Sequence, residues 1–217
     1  MIKGVIFDMD GLLLDSEKLY VRFWIEAARS QGYPMELSHA LGMRSLGRSF
    51  AIKRIKEYFG ENADYYAIRA KRIELMDKYI KTYGIEKKKG ADALLCYLKE
   101  NKIKTAVATA TPVERAKEYL ERVNLLQYFD EIISAHMVQN GKPAPDIYLL
   151  AAQSLSLEPK NCMALEDSPN GVQSASSAGC VTVMVPDLDT PDEKTKAMLY
   201  STAEDLEKVI DLVKELL

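Results

Sequence analysis

Two regimes of apolar patterning divide this chain. Near the N-terminus, Val5-Ile6-Phe7 is a short unbroken apolar run of β-branched and aromatic residues. That is the pattern of a strand buried on both faces of a parallel sheet. The run stops at Asp8 and Asp10, and Gly11 breaks it. Strand character is then absent until residue 103. Three helical stretches are predicted over 17–31, 45–59 and 63–83, ended by Gly32, Gly60 and Gly84; in the first, Leu19, Phe23, Trp24, Ala27 and Ala28 recur at helical spacing. From Gly90 onward the pattern alternates. Helices are predicted over 91–100, 112–123, 146–154, 170–178 and 203–217, and strands over 103–108, 132–135, 163–165 and 181–185.

Strands alternating with helices imply an α/β fold with a parallel sheet covered on both faces. Right-handed crossovers place every strand's carboxyl end on one edge, where open α/β sheets bind ligands. The residues just after each strand are therefore the candidates for chemistry. The first strand ends at Asp8 and Asp10. The second is followed by Thr109-Ala110-Thr111-Pro112. Thr111-Pro112-Val113-Glu114 reads as a capping box with proline at the first helical position, so Thr111 is taken as a cap residue, whereas Thr109 offers a hydroxyl to an anion at that helix N-terminus. After the third strand, Lys142 is held between Gly141 and Pro143, poised for an anion. The fourth ends at Glu166-Asp167.

If these residues converge, Asp8, Asp10, Glu166 and Asp167 repel one another by about 4 kcal/mol for each pair 4 Å apart at an effective dielectric of 20. One lysine cannot offset that. A hard divalent cation can, and an all-oxygen site is what Mg²⁺ prefers. A lysine, a threonine hydroxyl and a helix N-terminus suit a transferring phosphoryl group. The pattern reads as metal-assisted phosphoryl transfer.

Composition narrows this further. The 217 residues are 47% hydrophobic and 28% charged, enough for one large domain or a core with a modest insertion. The net charge of −3, from 29 basic and 32 acidic residues well mixed, argues against nucleic acid or an anionic membrane as partner. No run reaches the length of a membrane span, and Asp8 and Asp10 interrupt any signal-peptide core. Cys96, Cys162 and Cys180 lie far apart in apolar surroundings, which predicts buried free thiols and a reducing, cytoplasmic location. Lys87-Lys88-Lys89 reads as a solvated linker, His39 and His136 match no motif, and a monomer is expected.

The segments FDMDGLLLDS, VATAT, NGKPAPDIY and LEDSPNG resemble, in order, the four motifs of the haloacid dehalogenase superfamily, in its branch of β-phosphoglucomutase-like proteins and sugar phosphatases. The resemblance spans nearly the whole chain. It implies a Rossmann-like core over 1–14 and 88–217 and an inserted all-helical cap over 15–87, hinged near Asp15-Ser16 and between residues 85 and 90. It implies that Asp8 is the nucleophile, forming an aspartyl-phosphate, and that Asp10 is the general acid and base. Mg²⁺ would be held by Asp8, Glu166, Asp167 and the backbone carbonyl of Asp10, and the phosphoryl oxygens by Thr109, Ala110 and Lys142. The expected function is Mg²⁺-dependent hydrolysis of a small phosphorylated metabolite, such as a sugar phosphate.

The nearest alternative is a sugar phosphomutase. Mutases of the family carry histidine where Tyr20 stands and lysine where Leu41 precedes Gly42, so both departures count against it. Tyr20, Arg44 and Arg48 are the cap candidates for substrate contact, the two arginines being equally readable as solvated. A non-catalytic, receiver-like phospho-acceptor also uses aspartate, threonine and lysine at strand ends. Its acidic pair, however, precedes the acceptor, whereas Glu166-Asp167 follows Asp8.

Overall fold

The computed structural model describes residues 1–44 and 46–217; Ser45, where the second predicted helix begins, lies outside the described residues. Six parallel strands form one sheet: β1 (Gly4–Phe7), β2 (Lys104–Thr109), β3 (Glu131–Ser134), β4 (Cys162–Glu166), β5 (Val181–Met184) and β6 (Ser201–Thr202). Their order is β3-β2-β1-β4-β5-β6. In the register, Phe7 stands beside Val107 on one side and Leu165 on the other. The chain order reverses between β1 and β4, the switch point at which a doubly wound sheet opens a crevice for ligand.

The sheet is buried on both faces because successive side chains of β1 point to opposite sides. Val5 and Phe7 share an apolar cluster with Leu94 and Leu98 of α5 (Ala91–Glu100), Tyr119 and Leu120 of α6 (Val113–Arg122), and Val209 and Val213 of α10 (Leu206–Leu216). Ile6 joins the opposite cluster, with Ile147, Tyr148 and Ala151 of α7 (Asp146–Ser154) and Ala175 of α8 (Pro169–Ser177). Ala106, Ala108 and Ala164 line that face, and their small side chains let α7 lie close to the strands.

Among the described residues, four helices come between β1 and α5: α1 (Glu17–Ser30), α2 (Leu37–Leu41), α3 (Arg48–Phe59) and α4 (Tyr65–Tyr83). They bury an apolar cluster of their own, including Val21, Trp24, Ala28, Ile55 and Ile68. The two chain passages joining this block to the sheet run side by side. Asp15 N donates to Glu86 O and Lys88 N to Leu13 O, each at 2.9 Å.

Several expectations are corrected. The short helices α2 and α9 (Glu193–Lys196) and strand β6 were not predicted. The final helix starts at Leu206 rather than 203, because Ser201–Thr202 pairs with β5 and Asp205 caps the helix by accepting from Lys208 N at 3.1 Å. Helix α6 starts at Val113, with Pro112 as N-cap and no side-chain cap, so Thr111 caps nothing. Cys96 is exposed, Cys162 buried and Cys180 half-buried. The three lysines of the linker each meet a carboxylate: Lys87 with Asp92 at 2.6 Å, Lys88 with Asp187 at 2.7 Å and Lys89 with Asp205 at 2.6 Å. No described helix is long and apolar enough to cross a membrane.

Candidate active site

Because β1 is central, Asp8 and Asp10 emerge between the ends of β2 and β4. Thr109 and Thr111 lie to one side and Glu166 and Asp167 to the other. Asp8 follows directly on β1, and its amide extends the ladder by donating to Leu165 O at 3.0 Å. Asp8, Glu166 and Asp167 are all buried, and one carboxylate oxygen from each lies within 4.8 Å of the others.

Lys142 reaches this cluster from the loop between β3 and α7. Its buried ammonium donates to Asp8 Oδ1, to Glu166 Oε1 at 2.6 Å and to Ala108 O at 3.0 Å. Tyr148 OH donates to the same Glu166 oxygen at 2.5 Å. Burial pulls the Lys142 ammonium down, but the charges of Asp8 and Glu166 outweigh it and hold the group charged well above its usual range. Asp8 is pushed up to about 7, first by burial and then by Glu166 and Asp10, against the opposing pull of Lys142.

Asp167 is the unbalanced member. Both of its carboxyl oxygens are buried and accept no hydrogen bond from the described residues. Burial, then the charges of Asp8, Glu166 and Glu17, push it well above the carboxylate range. A buried carboxylate without partners is destabilising by several kcal/mol unless something positive meets it. The nearest positive group is Arg44 Nη2, 4.0 Å away. An orphaned carboxylate beside two others, all offering oxygen, fits a hard divalent cation. Gly11 makes this approach possible. Its φ of +90° is unfavourable for other residues, and a Cβ there would strike the Asp167 carboxylate.

Asp10 faces the other way. Ser16 Oγ donates to its Oδ1 at 2.8 Å and Thr111 Oγ1 to its Oδ2 at 2.9 Å, with Thr109 Oγ1 at 3.5 Å. Burial raises Asp10 above its ordinary range, while Ser16, Thr111 and the Arg72 charge oppose the rise. Its carboxylate thus stands apart from the three clustered ones.

The helical block roofs this edge. A cavity of about 1140 Å³ runs between the two, with Asp8, Asp10, Thr111 and Lys142 on the sheet side and Tyr20 and Arg48 opposite. The exposed Ala110, in the turn after β2, also lines it. Tyr20 OH lies 3.3 Å from Thr111 Oγ1, and Arg72 stacks 4.7 Å from the Tyr20 ring centre. Arg48 Nη2 lies 3.2 Å from His136 Nε2. Arg44 is not solvated. It is buried, donates to Glu17 Oε2 at 3.0 Å and lies 2.8 Å from Asp189 Oδ2.

Thr111, Ser16, Glu17 and Tyr148 escaped the sequence reading. Thr111 was taken for a cap, and Ser16 and Tyr148 stood unassigned inside quoted motifs. Glu17 opens a helix, where an acid is ordinarily a solvated dipole partner. In the fold it is buried and pushed up to about 8, first by burial and then by the Asp10 charge.

Comparison with known proteins agrees with this architecture. A family model described as haloacid dehalogenase-like hydrolase matches residues 2–179. A Thermotoga maritima protein named phosphorylated carbohydrates phosphatase is 33% identical over 230 aligned residues, covering 100% of both chains. The β-phosphoglucomutase of Bacillus subtilis is 29% identical over 85% of this chain and 83% of its own. Among solved structures, CbbY from Rhodobacter sphaeroides, crystallised with phosphate, superposes with a TM-score of 0.81 at 27% identity and 96% coverage of each chain. The four motifs at one sheet edge and the match across most of the chain place this protein among the enzymes of the haloacid dehalogenase-like hydrolase family.

Proposed function

We propose that this enzyme is a Mg²⁺-dependent phosphatase of small phosphorylated carbohydrates, acting through a phosphorylated Asp8. The reading rests most directly on Asp8, held against Lys142 at the cavity floor beside the orphaned Asp167. The name of the Thermotoga maritima relative supports the substrate class. In this reading residues 15–87 are the cap, and 1–14 with 88–217 the core. An apolar cluster lying wholly within the helical block and its two adjacent connections support that division, while Leu19, Phe23, Met76 and Ile80 join the sheet's cluster where the two parts meet.

An Asp8 oxygen attacks phosphorus, and the bond to the leaving oxygen breaks as Asp10 supplies its proton. Asp10 then takes a proton from water as the water oxygen attacks phosphorus and releases Asp8. Lys142, Thr109 and the Ala110 amide hold the transferring oxygens. Asp8, Glu166, Asp167 and the Asp10 carbonyl would hold the metal, which when bound supplies charge neutralisation and polarises the phosphoryl group. The cap excludes water from the cavity, with Tyr20, Arg44 and Arg48 facing the sugar. The protein acts as a monomer.

The Bacillus subtilis relative favours a second reading, a sugar phosphomutase. One experiment separates the two: phosphate release from a panel of sugar phosphates with Mg²⁺ or chelator, in wild type and Asp8→Asn, with β-glucose 1-phosphate plus a bisphosphate primer included. Metal-dependent release that vanishes in Asp8→Asn is expected. Glucose 6-phosphate formed without phosphate release would establish the mutase instead. Release that survives in Asp8→Asn would overturn both readings.

A further inference from the structure

Within the reading that Asp10 is the general acid, we propose that Thr111 is a positioning residue for it, fixing the carboxyl plane so that the proton points at the leaving oxygen. Asp10 is half-buried at the cavity edge, and its carboxyl group has a broad terminal torsion that backbone placement alone does not set. Two donors set it. Ser16, from the connection to the helical block, holds Oδ1 at 2.8 Å, and Thr111, from the turn after β2, holds Oδ2 at 2.9 Å.

Thr111 is itself immobilised. Its amide donates to Thr109 Oγ1 at 3.0 Å, and its carbonyl accepts from Ser134 Oγ at 2.8 Å. Its hydroxyl meets Tyr20 OH at 3.3 Å, and the residue is 6% exposed. A threonine just before a helix ordinarily caps it. Here the hydroxyl is turned away from the α6 amides, which have no side-chain cap, and toward the carboxyl group. Fixing a reacting group to within a few tenths of an ångström through a rigid supporting residue is what proton transfer to a departing oxygen requires.

The chemistry supplies a readout that a structural role does not. A sugar alkoxide departs from phosphorus only with a proton, whereas p-nitrophenolate departs without one. The kcat/KM value covers the steps through leaving-group departure, so the ratio of kcat/KM for glucose 6-phosphate to that for p-nitrophenyl phosphate isolates the acid. A positioned acid contributes about 10²–10⁴-fold, so Asp10→Asn should lower that ratio by about this factor. Thr111→Val, which keeps the shape and removes the donor, should lower it about 10-fold as the misaligned fraction of that effect. Thr111→Ser should restore it. Equal losses on both substrates in Thr111→Val, or an unchanged ratio while Asp10→Asn moves it, would overturn the role of Thr111 alone. An unchanged ratio in Asp10→Asn would overturn Asp10 as the acid. Activity surviving in Asp8→Asn would overturn the proposed function itself.

Discussion

Gly171→Ala sets two effects of opposite sign against each other. Gly171 is the third residue of α8, and alanine in a helix interior is favoured over glycine by about 1 kcal/mol. On propensity alone the variant would be more stable. Yet an alanine Cβ at this position falls inside the Glu166 carboxyl group, far closer than real Cβ contacts. Restoring a carbon contact of about 3.5 Å pushes the carboxylate by more than an ångström, off Lys142 at 2.6 Å and Tyr148 at 2.5 Å. Glu166 is fully buried, so water cannot replace those partners. Breaking a buried ion pair costs about 3–5 kcal/mol, so the net loss is about 2–4 kcal/mol. Urea denaturation of metal-free protein at neutral pH should show the midpoint falling with an unchanged slope. Calorimetric titration with Mg²⁺ should show affinity weakened by about 10-fold or more, as for a disturbed ligand shell. A variant more stable than wild type, with Mg²⁺ affinity intact, would mean that α8 yields outward cheaply and that the Glu166 contact is not rigid.

Other outcomes follow from the same geometry. Asp8 is pushed up to about 7 and Glu17 to about 8, each from near 4 when exposed, so between those values the folded protein binds more protons than the unfolded chain. Metal-free stability should therefore fall as pH rises from 4 to 8, and the rise in melting temperature given by saturating Mg²⁺, which needs ionised carboxylates, should be larger at pH 8 than at pH 5. Arg44→Ala leaves Glu17 buried without its partner, so its destabilisation in denaturant melts should be greater at pH 9, where Glu17 must ionise or bind a proton at a penalty, than at pH 6. Burial pushes the Cys162 thiol up to about 11 and Cys180 up to about 12, whereas Cys96 is exposed. A thiol reagent should label one cysteine per native chain at pH 8 and three in denaturant.

The apolar run Val5-Ile6-Phe7, the alternation after Gly90 and the breaks at Gly11, Gly32, Gly60 and Gly84 carried the architecture, because hydrophobic period and backbone freedom are local properties. Strand ends are local too, so Asp8, Asp10, Thr109, Lys142, Glu166 and Asp167 were all legible as candidates. The two-residue strand β6 was not, since it exists only by pairing with β5. Nor was the partition of the carboxylates. Nothing in Asp-x-Asp-Gly distinguishes an acid tied to Lys142 from one clamped by Ser16 and Thr111, since those partners lie up to 134 residues away. Arg44 was readable either as a substrate contact or as a solvated residue, and Glu17 only as the start of a helix; the fold buries both and makes each the other's partner across the helical block. The sequence by itself determined the main strands and helices and the kinds of chemical group at the strand ends. The tertiary structure decided which group meets which, because burial and charge pairing arise between segments distant along the chain.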